Sequence, residues 1–193
     1  MVLSQALAEG YNCLVDRTLA TREIFVPIPD LIEDIVASAR HALTEELGDI
    51  VQWAATLSFS DRLVRPDPLL IGRTYRGSAI TTEMRLPSVE AHLLKRIHVE
   101  KQWPPETTTA QYVADLHKAI QHSEARIWTY RLFSLPFVGF LSPCHVKDAP
   151  KPEPFIYVAC NAYDQRITTG YQASGIQAIP ALTKLAEQLI AQR

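Results

Sequence analysis

The sequence predicts an α+β fold: N-terminal helices packed on one face of a mostly antiparallel, meander-type sheet, followed by a C-terminal amphipathic helix. Three observations predict it. Apolar residues recur at helical spacing before Ile120, and four β-rich runs separated by turn residues lie between Arg126 and Gln172. Helical periodicity then returns after Pro180. The chain has 193 residues, of which 47% are hydrophobic and 21% charged. That supply fills a core without a metal or a disulfide and suits a single domain, 1–193. Any subdivision falls near 86, between a helix-and-strand part, 1–86, and a second part, 87–193.

Ser4 to Leu19 reads as a helix weakened by Gly10. Asp30 and Glu33 have capping-box spacing. Leu31, Ile35, Ala39 and Leu43 repeat every four residues behind them, and Gly48 is the expected stop. Val51, Trp53, Ala55, Leu57 and Phe59 alternate as in a strand. Pro66 and Pro68 break the chain, Leu69 to Arg76 reads as a second strand, and Gly77 turns it. Pro87 and Ser88 open a helix that Pro104 and Pro105 bar from continuing. Thr108 and Gln111 form a second capping box, ahead of Tyr112, Val113, Leu116, Ala119 and Ile120. The meander strands are expected at Arg126–Phe133, Phe137–Leu141, Phe155–Ala162 and Arg166–Gln172. The stretch Ser142 to Pro154, with four prolines and two lysines, is the exposed loop between them. Asn161 to Gln165 makes a hairpin turn. In the last helix Leu182, Leu185, Ala186 and Leu189 face inward.

The net charge of −2 does not suggest a protein that coats nucleic acid. Charge is unevenly placed, however. Glu23 to Asp49 holds seven acids and one base, whereas Arg62 to Arg76 holds four arginines and one acid. These runs are either solvated faces or docking faces for partners of opposite charge. Cys13, Cys144 and Cys160 have neither disulfide nor zinc spacing, so reduced thiols and a cytoplasmic location are expected. The most apolar stretch, Ile127 to Leu141, is interrupted by Arg131 and Pro136, and no membrane partner is expected.

The chain has no P-loop, GxGxxG, HExxH, CxxC or GxSxG motif, and no cofactor is expected. Ionisable groups concentrate at His92, Lys95, Arg96, His98 and Lys101. On a helix His92 and Arg96 share a face, and His98 lies near the end. Imidazole titrates near neutrality, and neighbouring cations stabilise charge on a phosphate. His92 and His98 are too far apart in sequence for a compact metal pair, so no metal site is expected. Along Arg166–Gln172, strict alternation puts Ile167, Thr169 and Tyr171 on one face and Thr168, Gly170 and Gln172 on the other. Gly170 would then leave room for a ligand backbone.

The combination of a histidine-bearing basic helix, Trp103-Pro104-Pro105, a threonine-capped helix and a meander ending in Ile167-Thr168-Thr169-Gly170-Tyr171-Gln172 resembles the toxin domains of the barnase–EndoU–colicin–RelE superfamily. The resemblance covers Pro87 to Gln172. It implies metal-independent RNA cleavage through a 2′,3′-cyclic phosphate. His98 would be the base and Arg131 a phosphate-contacting cation, with Thr168 and Tyr171 completing the catalytic set. Lys95, Arg96 and Thr169 would hold the substrate, and Trp103 and Tyr130 would stack on bases. The implied partners are RNA and a protein partner or inhibitor. Two rivals remain. One is a non-catalytic interaction or regulatory domain docking through the acidic and basic stretches. The other rests on Arg73-Thr74-Tyr75-Arg76-Gly77, which is similar to the arginine strand of ADP-ribosyltransferases, although their paired catalytic acids are missing here.

Overall fold

The structure is a computed structural model that describes residues 32–33, 47–132 and 134–191. The predicted helices Ser4–Leu19 and Asp30–Leu47 lie outside the described residues, apart from Ile32, Glu33 and Leu47. The first element whose bounds are described is helix α1, Leu47–Ala55. An arm spanning 61–87 follows. Its ends pair as the short strands β1, Leu63–Val64, and β4, Leu86–Pro87. Within it lie a 3-10 turn, Pro68–Leu70, and a hairpin of β2, Thr74–Tyr75, and β3, Ser78–Ala79. Helices α2, Ser88–His98, and α3, Thr109–Ile120, come next. The main sheet is a meander of β5 (Arg126–Leu132), β6 (Leu135–Ser142), β7 (Phe155–Asn161) and β8 (Arg166–Ala173). A 3-10 turn, Ile176–Ala178, leads into α4, Pro180–Ala191.

The protein is thus mixed helix and antiparallel sheet, as the sequence predicts. Both faces of the sheet are covered. On one face Ile127, Val138, Phe140, Val158 and Ile167 pack against residues of α1, α2 and α3. On the other, Trp128, Tyr130, Leu141 and Tyr157 pack under Ile32, Ile176, Ile179, Leu182 and Ala186. The described residues before 86 share the first of these cores with those after it, through Ile50 and Ala54 of α1.

Several local expectations are corrected. Residues 51–55 are helical, and Gly48 lies inside α1 instead of ending a helix. Ile50, Val51 and Ala54 also satisfy helical spacing, and packing of Ile50 and Ala54 into the core decides between the two periodicities. Only Phe59 keeps strand character, in an isolated parallel bridge to Ile167. Leu69–Arg76 is not a continuous strand. Asp67 caps the Leu69 N–H, Pro68 starts the 3-10 turn, and Gly72 bends the backbone at φ 81°. The turn expected at Gly77 is present, with Arg76 and Gly77 both at positive φ as a two-residue hairpin requires. Within the loop 142–154, Ser142, Cys144 and Val146 are buried, and Ser142 Oγ donates to the Ala119 carbonyl at 2.5 Å.

The Thr108–Gln111 capping box forms as expected. The meander strands fall within two residues of their predicted ends. The facing along β8 differs. Its register opposite β7 slips between Ala159 and Cys160, so that Thr169 pairs with Ala159 while Ile167 pairs with Cys160. Thr168 is the extra residue of a β-bulge. Ile167 therefore shares a face with Gly170 and Gln172, and Thr169 and Tyr171 take the other.

Candidate functional site

Helix α2 is the hub of the polar side chains, and its helical spacing divides them between two neighbours. His92 and Arg96, four residues apart, face β8. Lys95 faces the arm. The arm contact is fixed by the Lys95 Nζ–Asp67 ion pair at 2.7 Å, which holds the Asp67 carboxyl below the usual carboxylate range.

At β8 the guanidinium of Arg96, itself buried, donates Nε–H to the Gly170 carbonyl at 2.9 Å. Its Nη1 pairs with Glu100 at 2.5 Å, and its Nη2 donates to Thr169 Oγ1 at 3.2 Å. The charged plane lies 5.0 Å from the centre of the Tyr171 ring. Tyr112 donates its hydroxyl to the same Gly170 carbonyl at 2.7 Å. Further along, Gln102 donates to the Gln172 carbonyl at 2.7 Å and accepts from the Gln172 N–H at 3.2 Å. Toward the strand's start, Ser58 and Ser60 bond the Ile167 N–H and carbonyl at 3.0 and 2.8 Å. An edge strand with open N–H and C=O groups invites pairing with another chain. Here partners from three segments cover β8 at Ile167, Gly170 and Gln172.

His92 is enclosed beside Phe59, with ring centres 5.5 Å apart. Its Nδ1 lies 3.3 Å from Thr169 Oγ1. Burial, together with Arg96 and Lys95, lowers its pKa to about 4, so the ring is neutral at pH 7. Thr169 Oγ1 accepts from Arg96, and in the Nε2–H tautomer of His92 it donates its own proton to Nδ1.

The residues singled out in the sequence separate as follows. Lys95, Arg96 and Tyr171 line one open cleft of about 410 Å³, shared with Glu100, Gln102 and Glu153. Thr169 joins them through Arg96. Thr168 instead donates to the Ala159 carbonyl at 3.0 Å and lines a different cleft, of about 350 Å³, with Arg62 and Arg166. His98 lines neither cleft. Burial, then Arg73 and Lys101, depress its pKa. Arg131 lies on β5, the far edge of the sheet from β8, roughly 14 Å away across three strand spacings. His98, Arg131 and the β8 residues therefore do not meet in one site.

Trp103 is fully buried and donates Nε1–H to Asp115 at 2.9 Å. Tyr130 is buried with its hydroxyl 2.9 Å from that of Tyr157, and burial pushes its pKa up to about 12. Neither presents a face for stacking on a base. Burial likewise raises the Tyr171 phenol well above its usual value, so it remains protonated at neutral pH. The space beside Gly170 is filled by Leu116, whose side chain a Cβ at this position would strike. That close approach, and not a ligand, accounts for the glycine. Among the described residues no cluster of His, Cys, Asp and Glu suits a metal, and no helix is long and apolar enough to cross a membrane.

In the sequence the arm shows a run of basic charge, the proline breaks at Pro66 and Pro68 and the turn at Gly77, but not its anchoring. Leu70, Ile80 and Leu86 anchor it in the interior. Arg62–Asp164 at 2.9 Å, Lys95–Asp67 and Arg76–Glu90 tie it to the body. Outward it presents Leu63 and Leu69, each 65% exposed, and Ile71, 39% exposed. Arg65, Arg73 and Arg85 are exposed on it and have no acidic partner among the described residues.

No family model, curated protein or solved structure matches this chain. The functional reading therefore stands on its side chains alone.

Proposed function

We propose that the protein is a non-catalytic interaction domain whose docking element is the arm 61–87, and that its partner is an acidic protein segment carrying apolar side chains. The supporting observation is that an anchored arm exposes Leu63, Leu69 and Ile71 beside Arg65, Arg73 and Arg85. Exposed aliphatic groups interspersed with arginine suit the centre of a protein interface. Single-stranded nucleic acid favours exposed aromatic faces. The arm's aromatic ring, Tyr75, is half-buried with the Arg76 guanidinium 5.1 Å from its centre. Anchoring matters as well, because a pre-ordered arm loses little conformational freedom on binding.

The test is fluorescence anisotropy with labelled acidic amphipathic peptides, their amidated neutral counterparts, and a single-stranded RNA. Expected is saturable binding of the acidic peptides that weakens with salt and disappears in the Leu69→Ser/Ile71→Ser double variant. Binding of RNA alone, indifferent to that double variant, would remove the proposal.

Metal-independent RNA cleavage is the second reading, supported by the grouping of Lys95, Arg96 and Tyr171 around one open cleft. On this reading RNA is cut in excess chelator and Lys95→Gln or Tyr171→Phe slows the cleavage. Intact RNA after prolonged incubation with the wild-type chain ends it.

A further inference from the structure

We propose that Arg166, beside the root of the arm, is the cation of a binding site for an apolar carboxylate, an acid whose charged group adjoins an aliphatic or aromatic one. The site needs none of the arm's exposed aliphatic side chains, so it stands apart from the docking reading.

Strand register builds the site. Phe137 on β6 pairs with Asn161 on β7, and Asn161 pairs with Arg166 on β8. Cross-strand partners share a face, so an aromatic ring, an amide and a guanidinium stand in one row. Neighbouring strands are about 4.8 Å apart, which puts the ends of the row roughly 10 Å from each other. The hairpin joining β7 to β8 is fixed from within. Asn161, itself buried, accepts at Oδ1 from the N–H groups of Tyr163 and Asp164 at 2.8 and 3.0 Å, and Gln165 turns the chain at φ 51°. The start of the arm is fixed beside this hairpin. Ser60 N–H bonds the Ile167 carbonyl at 2.8 Å, and Arg62 pairs with Asp164 at 2.9 Å. Between the two lies the open cleft of about 350 Å³ that Thr168 also lines. Leu135, 38% exposed, and the half-buried Phe137 supply its apolar wall.

Charge selects the ligand. Asp164 Oδ2 accepts hydrogen bonds from both Arg62 and Asn161, so these three groups satisfy one another. Thr168 gives its hydroxyl proton to the Ala159 carbonyl. The half-buried Arg166 guanidinium has neither a hydrogen bond nor an acidic partner among the described residues. Of the two cations lining the cleft, it is the uncompensated one. Asp61 and Asp164 line the cleft as well, and they would repel a doubly charged phosphate. A carboxylate carries a single charge and matches the planar guanidinium fork with two parallel hydrogen bonds. Its apolar part would lie on Phe137 and Leu135, in a space that suits a small molecule or one side chain.

The test is titration of the full chain with 3-phenylpropionate, its uncharged amide, acetate and inorganic phosphate at matched ionic strength, followed by amide NMR. Expected is a saturable shift from 3-phenylpropionate centred on Phe137 and Asn161–Thr168. The amide, acetate and phosphate should each bind about tenfold more weakly or worse. Arg166→Gln should weaken 3-phenylpropionate about tenfold, whereas Leu135→Ser weakens it and leaves acetate unchanged. Lys118→Gln, on exposed α3 surface, and Leu69→Ser/Ile71→Ser should alter neither, so the site and the docking arm can fail separately. The amide spectrum of each variant verifies the fold. A peptide with adjacent phenylalanine and glutamate, titrated the same way, shows by the tighter binding whether the acid is free or part of a chain. No saturable binding, equal binding of acid and amide, tighter binding of phosphate, or an affinity untouched by Arg166→Gln would overturn the site.

Discussion

The edge of β8 and the arm 61–87 flank the same helix and use polar side chains in opposite ways. Along β8, Arg96, Thr169, Gln172 and Tyr112 direct their donors and acceptors at one another and at the strand's backbone. On the arm, arginines and aliphatic side chains project outward with their backbone fixed behind them. A cluster of polar residues on a strand thus serves to seal a sheet edge, while the surface available to a partner lies in a segment whose sequence looked merely basic. Availability, more than chemical type, separates the two.

Breaking the edge should have the largest effect. Arg96→Met removes a buried guanidinium that serves Gly170, Thr169 and Glu100, and should lower unfolding free energy by about 3 kcal/mol in urea titration. A comparable effect, of opposite experimental kind, comes from pH. His92 has a folded pKa of about 4 against an ordinary 6.5, so the unfolded chain binds the proton more readily. Its contribution is fully present above pH 6.5 and is lost as pH falls toward 4, on the order of 3 kcal/mol. His92→Leu should flatten that part of the stability profile, measured by urea unfolding across the window.

Gly170→Ala sharpens the comparison at the level of packing. The new methyl meets Leu116, and a loss of about 2 kcal/mol is expected; Gly170→Ala with Leu116→Ala should recover part of it. The smallest effect belongs to the arm. Leu69→Ser/Ile71→Ser should cost about 1 kcal/mol of stability while abolishing peptide binding, because Leu69 is largely exposed and Ile71 is partly covered.

Legibility followed the range of the forces involved. The capping box at Thr108, the helix opened by Pro87, the four meander strands and the helix from Pro180 are set by neighbours a few residues away, and local pattern reveals them. Residues 51–55 satisfied two periodicities, and only the docking of Ile50 and Ala54 against distant residues selects the helix. The bulge at Thr168 depends on the partner strand and leaves no mark in β8 itself, so strict alternation puts Ile167 on the face opposite to the one it takes. At the candidate site, Lys95, Arg96 and Tyr171 line one cleft because α2 packs beside β8. Arg131 was out of reach because strand order, not sequence distance, sets its separation from β8. Trp103 and Tyr130 carry no sequence signal that distinguishes a stacking face from a buried ring. Their indole and phenol donors found partners in Asp115 and Tyr157.

The most direct measurement is a paired urea-unfolding and peptide-binding comparison of Arg96→Met with Arg73→Gln. Arg96→Met is expected to lose about 3 kcal/mol of stability yet bind the acidic peptide normally under native conditions, whereas Arg73→Gln keeps its stability and binds more weakly. An Arg96→Met variant as stable as the wild type but unable to bind would contradict the division between a sealed edge and a docking arm.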